Sequence, residues 1–208
     1  MPIGSPRILI QAALLIAYLV CSHAGVTLDQ PQLQLLAVWL LALGLALRGL
    51  LETSLASWGL MLALTLGSLA LMALDSLLYL LYVPPVVFPL LLWSVFQGSL
   101  GPGRTPLITA IAREVRGSLS PELCNYTRAV TALWSGCFLS LALLCALLPL
   151  FASSALWSLF ANCLNYVLIV LLFVLEFVYR QWRFREIEHK TFWQYLQSIV
   201  RVDFRQFR

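Results

Sequence analysis

Six apolar runs divide this chain, and each is about as long as a bilayer core is thick. They are Ile8 to Val26, Gln32 to Leu51, Leu55 to Leu74, Ser76 to Leu100, Ala129 to Leu150 and Leu156 to Tyr179. A helix needs roughly 20 residues to cross the hydrocarbon core. The chain is 61% hydrophobic and 11% charged, whereas a soluble domain has about 45–50% apolar and about 25% charged residues. That excess cannot be hidden in a soluble core of 208 residues, so lipid must be the solvent for much of the chain. The pattern predicts an all-α polytopic membrane protein with about six transmembrane helices.

Individual runs carry further signals. Arg7 precedes the first run, and Cys21-Ser-His-Ala24 follows it, as in a cleaved signal peptide. However, Tyr18-Leu-Val20 stands where a lipoprotein signal wants small residues, so a retained transmembrane helix is expected. Pro31 suits the first turn of the second helix. The fourth run contains Pro84, Pro85 and Pro89. Each lacks a backbone donor and crowds the preceding turn, which predicts a kink or break at Pro84-Pro85 and free carbonyls near Tyr79 to Leu81 that face protein or a cavity.

Charge sets the expected orientation. With six spans and a cytoplasmic N-terminus, all 13 Lys and Arg residues fall on the cytoplasmic side, and the opposite face keeps Asp29 and Asp75. This is the asymmetry of the positive-inside rule, and adding or losing one span would scatter it. The net charge of +4 is thereby explained by topology, which argues against a nucleic-acid partner. The expected organisation is four spans over 1–100, a cytoplasmic basic segment over 101–128, two spans over 129–179 and a cytoplasmic amphipathic tail over 180–208. In that tail, Thr191-Phe-Trp-Gln194 reads as a capping box. Trp193, Leu196, Val200, Phe204 and Phe207 form one stripe flanked by Lys190, Arg201, Arg205 and Arg208. Such a helix suits the anionic leaflet surface and equally suits packing on the protein's own loops.

The segment Gly101 to Arg128 is the longest interior stretch that is not an apolar run. Thr105-Pro106 reads as an N-cap with proline at the first helical position. Leu107, Ile111 and Val115 then share a face, Gly117 ends the helix, and Ser120-Pro121-Glu122 starts the next. Arg104, Arg113, Arg116 and Arg128 are candidate ligands for an anionic headgroup or acyl donor, since a guanidinium grips phosphate or carboxylate bidentately. Topology marking is the commoner reason for such residues. Asn125-Tyr-Thr127 matches a glycosylation pattern but is expected on the cytoplasmic side.

Inside the membrane, the unusual residues are Asn162, Asn165 and Glu176 on the sixth run. Intramembrane polar groups face a bundle interior or a cavity and often bond between helices. Tyr166, Ile169 and Phe173 are expected to continue their face, and Arg180 offers Glu176 a surface ion pair. Among Cys21, Cys124, Cys137, Cys145 and Cys163 no CxxC occurs, so neither a disulfide framework nor a metal site is predicted. There is no HExxH, GxSxG or Walker loop. His23 and Asp29 are one residue too far apart for the HxxxxD of glycerolipid acyltransferases.

GPGRTPLITAIAREVRG, YTRAVTALW (Tyr126 to Trp134), WSLFANCLNYVL (Trp157 to Leu168) and FWQYLQSIVRVDFR resemble a group of small bacterial inner-membrane proteins. These are encoded beside fatty-acid-like synthases in aryl-polyene pigment clusters, and some carry the label "ketosynthase". The resemblance spans roughly residues 75 to 205, with hydropathy alone matching before that. It implies work on an aryl-polyene-type lipid at the inner membrane and supplies no catalytic residue or cofactor. A ketosynthase needs a nucleophilic cysteine with two histidines, and His23 and His189 are not placed for it.

The expected function is therefore an accessory or scaffold for making or moving such a lipid, with membrane lipids and other proteins of the biosynthetic system as partners, and a non-enzymatic role favoured. The alternatives are a membrane-embedded transferase binding a lipid or acyl donor at the arginine segment, and a small lipid transporter or flippase subunit. The charge count makes a direct prediction. Cysteines introduced at Ser5 and Gln206 should resist an impermeant label in intact cells, and one at Gln30 should react. Labelling of the first two from outside would overturn the six-span topology.

Overall fold

The computed structural model describes residues 6–184. These form eight α-helices and one π-helical turn, with no strand among the described residues. The helices are α1 (Pro6–Thr27), α2 (Pro31–Leu51), α3 (Leu55–Ala73), α4 (Leu77–Ser99), α5 (Leu107–Arg116), α6 (Pro121–Phe151), α7 (Ser154–Leu159) and α8 (Asn165–Arg183), with the π-turn at Phe160–Leu164. Helices α1, α2, α3, α4 and α6 are each long and apolar enough to cross a membrane, and so is the α7–π–α8 stretch Ser154–Arg183. The protein is all-α, with six helices suited to spanning. The capping box at Thr191 and the aromatic stripe that follows lie outside the described residues.

The first three links between helices are tight. Asp29, Thr53 and Asp75 sit at φ of 50°, 53° and 50° in them. Aspartate tolerates this left-handed region better than most residues, whereas β-branched Thr53 is an outlier there.

The chain divides into two compact units, whose boundaries fall inside α4, α6 and α8. One unit holds α1–α3, α4 up to Val86, and Leu144–Val167. Tyr18, Ala37, Leu81, Cys145, Trp157 and Ala161 are at its core. Helices α1 and α2 approach so closely at Gly25 that a Cβ there would lie 2.8 Å from the Gln34 backbone nitrogen. The Gln34 side-chain amide donates to the Gly25 carbonyl at 3.1 Å.

Trp157 is the largest fully buried side chain of the unit, and its position follows from a proline. Pro149 lies inside α6 and has no N–H to give the carbonyl four residues earlier, which is that of Cys145. The Trp157 indole N–H donates to that carbonyl at 3.1 Å. Tyr82 packs edge-on against the indole at 4.4 Å. An orphaned carbonyl in a dry interior is thus satisfied by the one aromatic side chain that carries only a donor.

The other unit holds α4 from Val87, α5, α6 up to Leu143, and α8 from Leu168. Its core is Val130, Trp134 and Phe138, packed with Phe96, Ile169 and Phe173. Phe96 meets Phe138 edge-on at 5.3 Å, and Trp134 stacks on Phe138 at 5.5 Å.

The expected break at Pro84-Pro85 does not occur, and α4 is helical without interruption from Leu77 to Ser99. The three prolines remove three rungs of the hydrogen-bond ladder, two of them consecutive, and the remaining rungs carry the helix through. The carbonyls that lose a donor to Pro84, Pro85 and Pro89 are those of Leu80, Leu81 and Pro85. Leu81 and Pro85 are buried and Leu80 is half-buried, so two of the three carbonyls belong to residues shielded from lipid.

Trp157→Phe should destabilise the protein by about 1–3 kcal/mol, the range for leaving a buried hydrogen-bonding group unpaired. In a Pro149→Ala background the helix supplies its own donor, so the same substitution should cost less. Reversible denaturation of the four proteins measures the coupling. Equal losses in both backgrounds would show that the Cys145 carbonyl is not what the indole serves.

Candidate functional site

The site is built on α5, a ten-residue helix too short to be stable alone. It follows the Gly101-Pro-Gly103 turn, where Gly103 takes a φ of 72°. Pro106 precedes the helix and does not occupy its first position as Thr105-Pro106 predicts, and no side chain at Pro106 caps it. The first amides are capped from other helices. Leu107 N–H donates to Ser99 Oγ at 3.0 Å, and Ile108 N–H to Thr131 Oγ1 at 3.3 Å. The hydroxyls of Thr109 and Thr127 meet at 2.7 Å. At the far end, Gly117 turns the chain at a φ of 79°. The next helix opens as the sequence predicts, with Leu123 N–H donating to Ser120 Oγ.

Thr127, Thr131 and Ser135 recur every fourth residue on α6, so they form one row. All three are buried. Thr127 and Thr131 hold α5, and the Ser135 hydroxyl donates to Gln97 Oε1 of α4 at 2.8 Å. In a medium without water, such side-chain bonds tie helices together.

Beside this row lies a cavity of about 450 Å³ within the same unit. Leu107, Ile108 and Ile111 of α5 line it, together with the aromatic rings of Phe96, Trp134, Phe138 and Phe173. Leu107 and Ile111 are almost fully buried, as the apolar face predicted from the segment's spacing requires; the side chain of Val115, its third residue, lies outside the described ones. Glu176 is the one ionisable residue in the lining. Its carboxylate accepts from the Tyr126 hydroxyl at 3.0 Å and lies 3.5 Å from Arg180 Nε. The predicted pair with Arg180 therefore forms but is not a surface pair: the two side chains are 14% and 7% exposed for Arg180 and Glu176. Glu122 and Arg183 pair at the same ends of α6 and α8.

The four arginines are not alike. Arg104 donates to the Gly98 carbonyl at 3.1 Å, and Arg128 to the Leu100 carbonyl at 3.3 Å. These carbonyls end α4, so both guanidinium groups complete its C-terminus, where positive charge is also favoured. Arg113 reaches towards Cys124 Sγ at 4.0 Å and is exposed, and Arg116 is half-buried. Arg113 and Arg116 occupy the last turn of α5, the helix that lines the cavity.

Asn162 and Asn165 belong to the other unit, at the π-turn. Asn162 donates to Ser158 Oγ at 3.0 Å, and Ser158 Oγ lies 3.1 Å from His23 Nδ1. Tyr166, expected to continue the face of Asn162 and Asn165, is 39% exposed, whereas the two asparagines are buried. Sequence reading also passed over the Thr127-Thr131-Ser135 row, whose four-residue spacing was the available signal, and Tyr126, which had none.

Thr131→Val keeps the shape of the side chain and removes the acceptor for Ile108 N–H. It should cost about 1–3 kcal/mol and speed proteolysis within 101–120, with Thr131→Ser restoring most of the protection. Unchanged cleavage of Thr131→Val would show that α5 does not depend on this bond. Searches of family models, of curated proteins and of solved structures find no match to this chain.

Proposed function

We propose that this protein is a non-enzymatic accessory of the bacterial inner membrane that holds one acyl-type chain of a lipid during its synthesis or movement. The observation that carries this reading is the cavity. At about 450 Å³ it is roughly three times the 150 Å³ of an engineered apolar cavity that takes up benzene. It is within the range of ligand pockets, about 300–1,000 Å³. Its walls are apolar and aromatic apart from Glu176, so the part of a ligand that enters must be hydrocarbon.

An anionic headgroup is assigned to the basic segment, on Arg104, Arg113, Arg116 and Arg128. The helix that lines the cavity bears two of them, which suits a ligand with a charged head and an apolar tail. The charge asymmetry supports a cytoplasmic position for the segment and for both termini. Likeness of the central and C-terminal motifs to proteins of aryl-polyene clusters makes a conjugated acyl chain the first ligand to try, with enzymes of such a system as partners.

Val130→Phe and Ile169→Phe fill the cavity and test the reading. Protein purified in mild detergent should carry an acyl-chain compound detectable by mass spectrometry. The double variant should lose it while remaining at normal abundance in the membrane. Arg104→Lys keeps the charge but not the planar fork, so it should retain less of the compound. Equal retention by the filled variant would overturn the cavity reading. Equal retention by both Arg104→Lys and Arg104→Ala would remove Arg104 from headgroup binding.

A further inference from the structure

The walls of the cavity are not covered equally. On α6 its lining is Val130, Trp134 and Phe138, and on α5 it includes Leu107 and Ile111, all of them buried. On α4 the lining is Phe96, which is half-buried, and Leu92 and Val95, which are 44% and 46% exposed. Leu92, Val95, Phe96 and Ser99 stand three or four residues apart and so share one face of α4. Cover is lost along that face. Ser99 is buried and accepts the Leu107 N–H, which ties α4 to α5 at that end. Arg128 bonds the last carbonyl region of α4 two residues after Tyr126 bonds Glu176, so the polar contacts gather at the same end. Helix α4 is long and apolar enough to cross a membrane. Leu92 stands seven residues before Ser99, about 10 Å along the helix, where the surroundings are hydrocarbon with a half-thickness of about 15 Å.

We propose that the cavity opens sideways into the bilayer beside Leu92 and Val95, and that it takes its chain from a membrane lipid and not from a carrier in water. This rests on the reading of the cavity as an acyl-chain site. The rim, like the floor, is hydrocarbon, so a lipid tail passes no polar group on its way in and exchanges one apolar surrounding for another. Entry at the α5 end would instead part the bonds from Leu107 to Ser99 and from Ile108 to Thr131, leaving polar groups unpaired where lipid offers no partner. The arrangement also suits a lipid as a whole. While a tail enters about 10 Å below the end of α4, its headgroup stays level with Arg104 and Arg128, which bond the carbonyls of Gly98 and Leu100.

Trp134 on the cavity floor supplies the test. The full-length protein is reconstituted in phosphatidylcholine vesicles whose chains are either plain or dibrominated, since bromine quenches indole emission on contact. The emission of Trp134 is the difference between the wild-type protein and Trp134→Phe. In brominated vesicles that component should lose most of its intensity. Leu92→Phe with Val95→Phe narrows the mouth at two exposed positions that the core does not need, and with its own Trp134→Phe counterpart it should keep most of the intensity. Val130→Phe with Ile169→Phe, which fills the floor, should keep it too. An unquenched Trp134 in the wild-type protein, or equal quenching in the narrowed variant, would overturn the proposal. If an acyl-chain compound co-purifies while Trp134 is unquenched, the cavity reading stands and sideways entry falls. If Trp134 is quenched only with the mouth open and no compound co-purifies, sideways entry stands and the holding of a particular lipid falls.

Discussion

Inside a bilayer a backbone carbonyl that loses its amide finds no water to replace it. The fold depends on this constraint, and it is most visible at Cys145. Pro149 takes away the donor that α6 would have supplied, and Trp157 returns one from the following helix at 3.1 Å. The same indole fills the centre of a core that includes Tyr18, Leu81 and Ala161. One side chain thus answers a local defect in one helix and packs the unit around it. The prolines of α4 meet the constraint differently, with the donor-free carbonyls of Leu81 and Pro85 on buried residues.

The constraint also shapes the other unit. Helix α5 has no cap of its own, yet its first amides are bonded to Ser99 and Thr131. Hydroxyls on neighbouring helices take the place that water would have at an exposed helix end. A short amphipathic helix is held by them with its apolar face on the cavity. The charged groups nearby also bond within the protein, and each guanidinium has further N–H groups to give. Arg104 and Arg128 complete the end of α4, and Glu176 is held between Tyr126 and Arg180. The cavity presents hydrocarbon and aromatic rings, with Glu176 the one ionisable residue of its lining.

Much of this was legible along the chain because it is written in one dimension. Run length against bilayer thickness yields six helices, and their ends agree with the apolar runs to within a few residues except at α6, which opens at Pro121. Ser120-Pro121-Glu122 announces that start through local capping chemistry. The apolar face of α5 follows from the spacing of Leu107 and Ile111. These features need only neighbours in sequence, and local geometry is enough to read them.

What the sequence by itself determined is that the chain is helical, with six helices long and apolar enough to cross a membrane. Only the tertiary structure decided which polar groups are partners. Glu176 had an obvious neighbour in Arg180, but burial of the pair and the bond from Tyr126, 50 residues away, come from the packing of α6 on α8. Arg104 and Arg128 read as free cations until the end of α4 is brought to them. Pro149 and Trp157 are unremarkable apart and explain each other once α6 and α7 fold together. The physical reason is the same in each case: hydrogen bonds and burial are pairwise properties of groups brought together by folding, and sequence periodicity reports only the face on which one group stands.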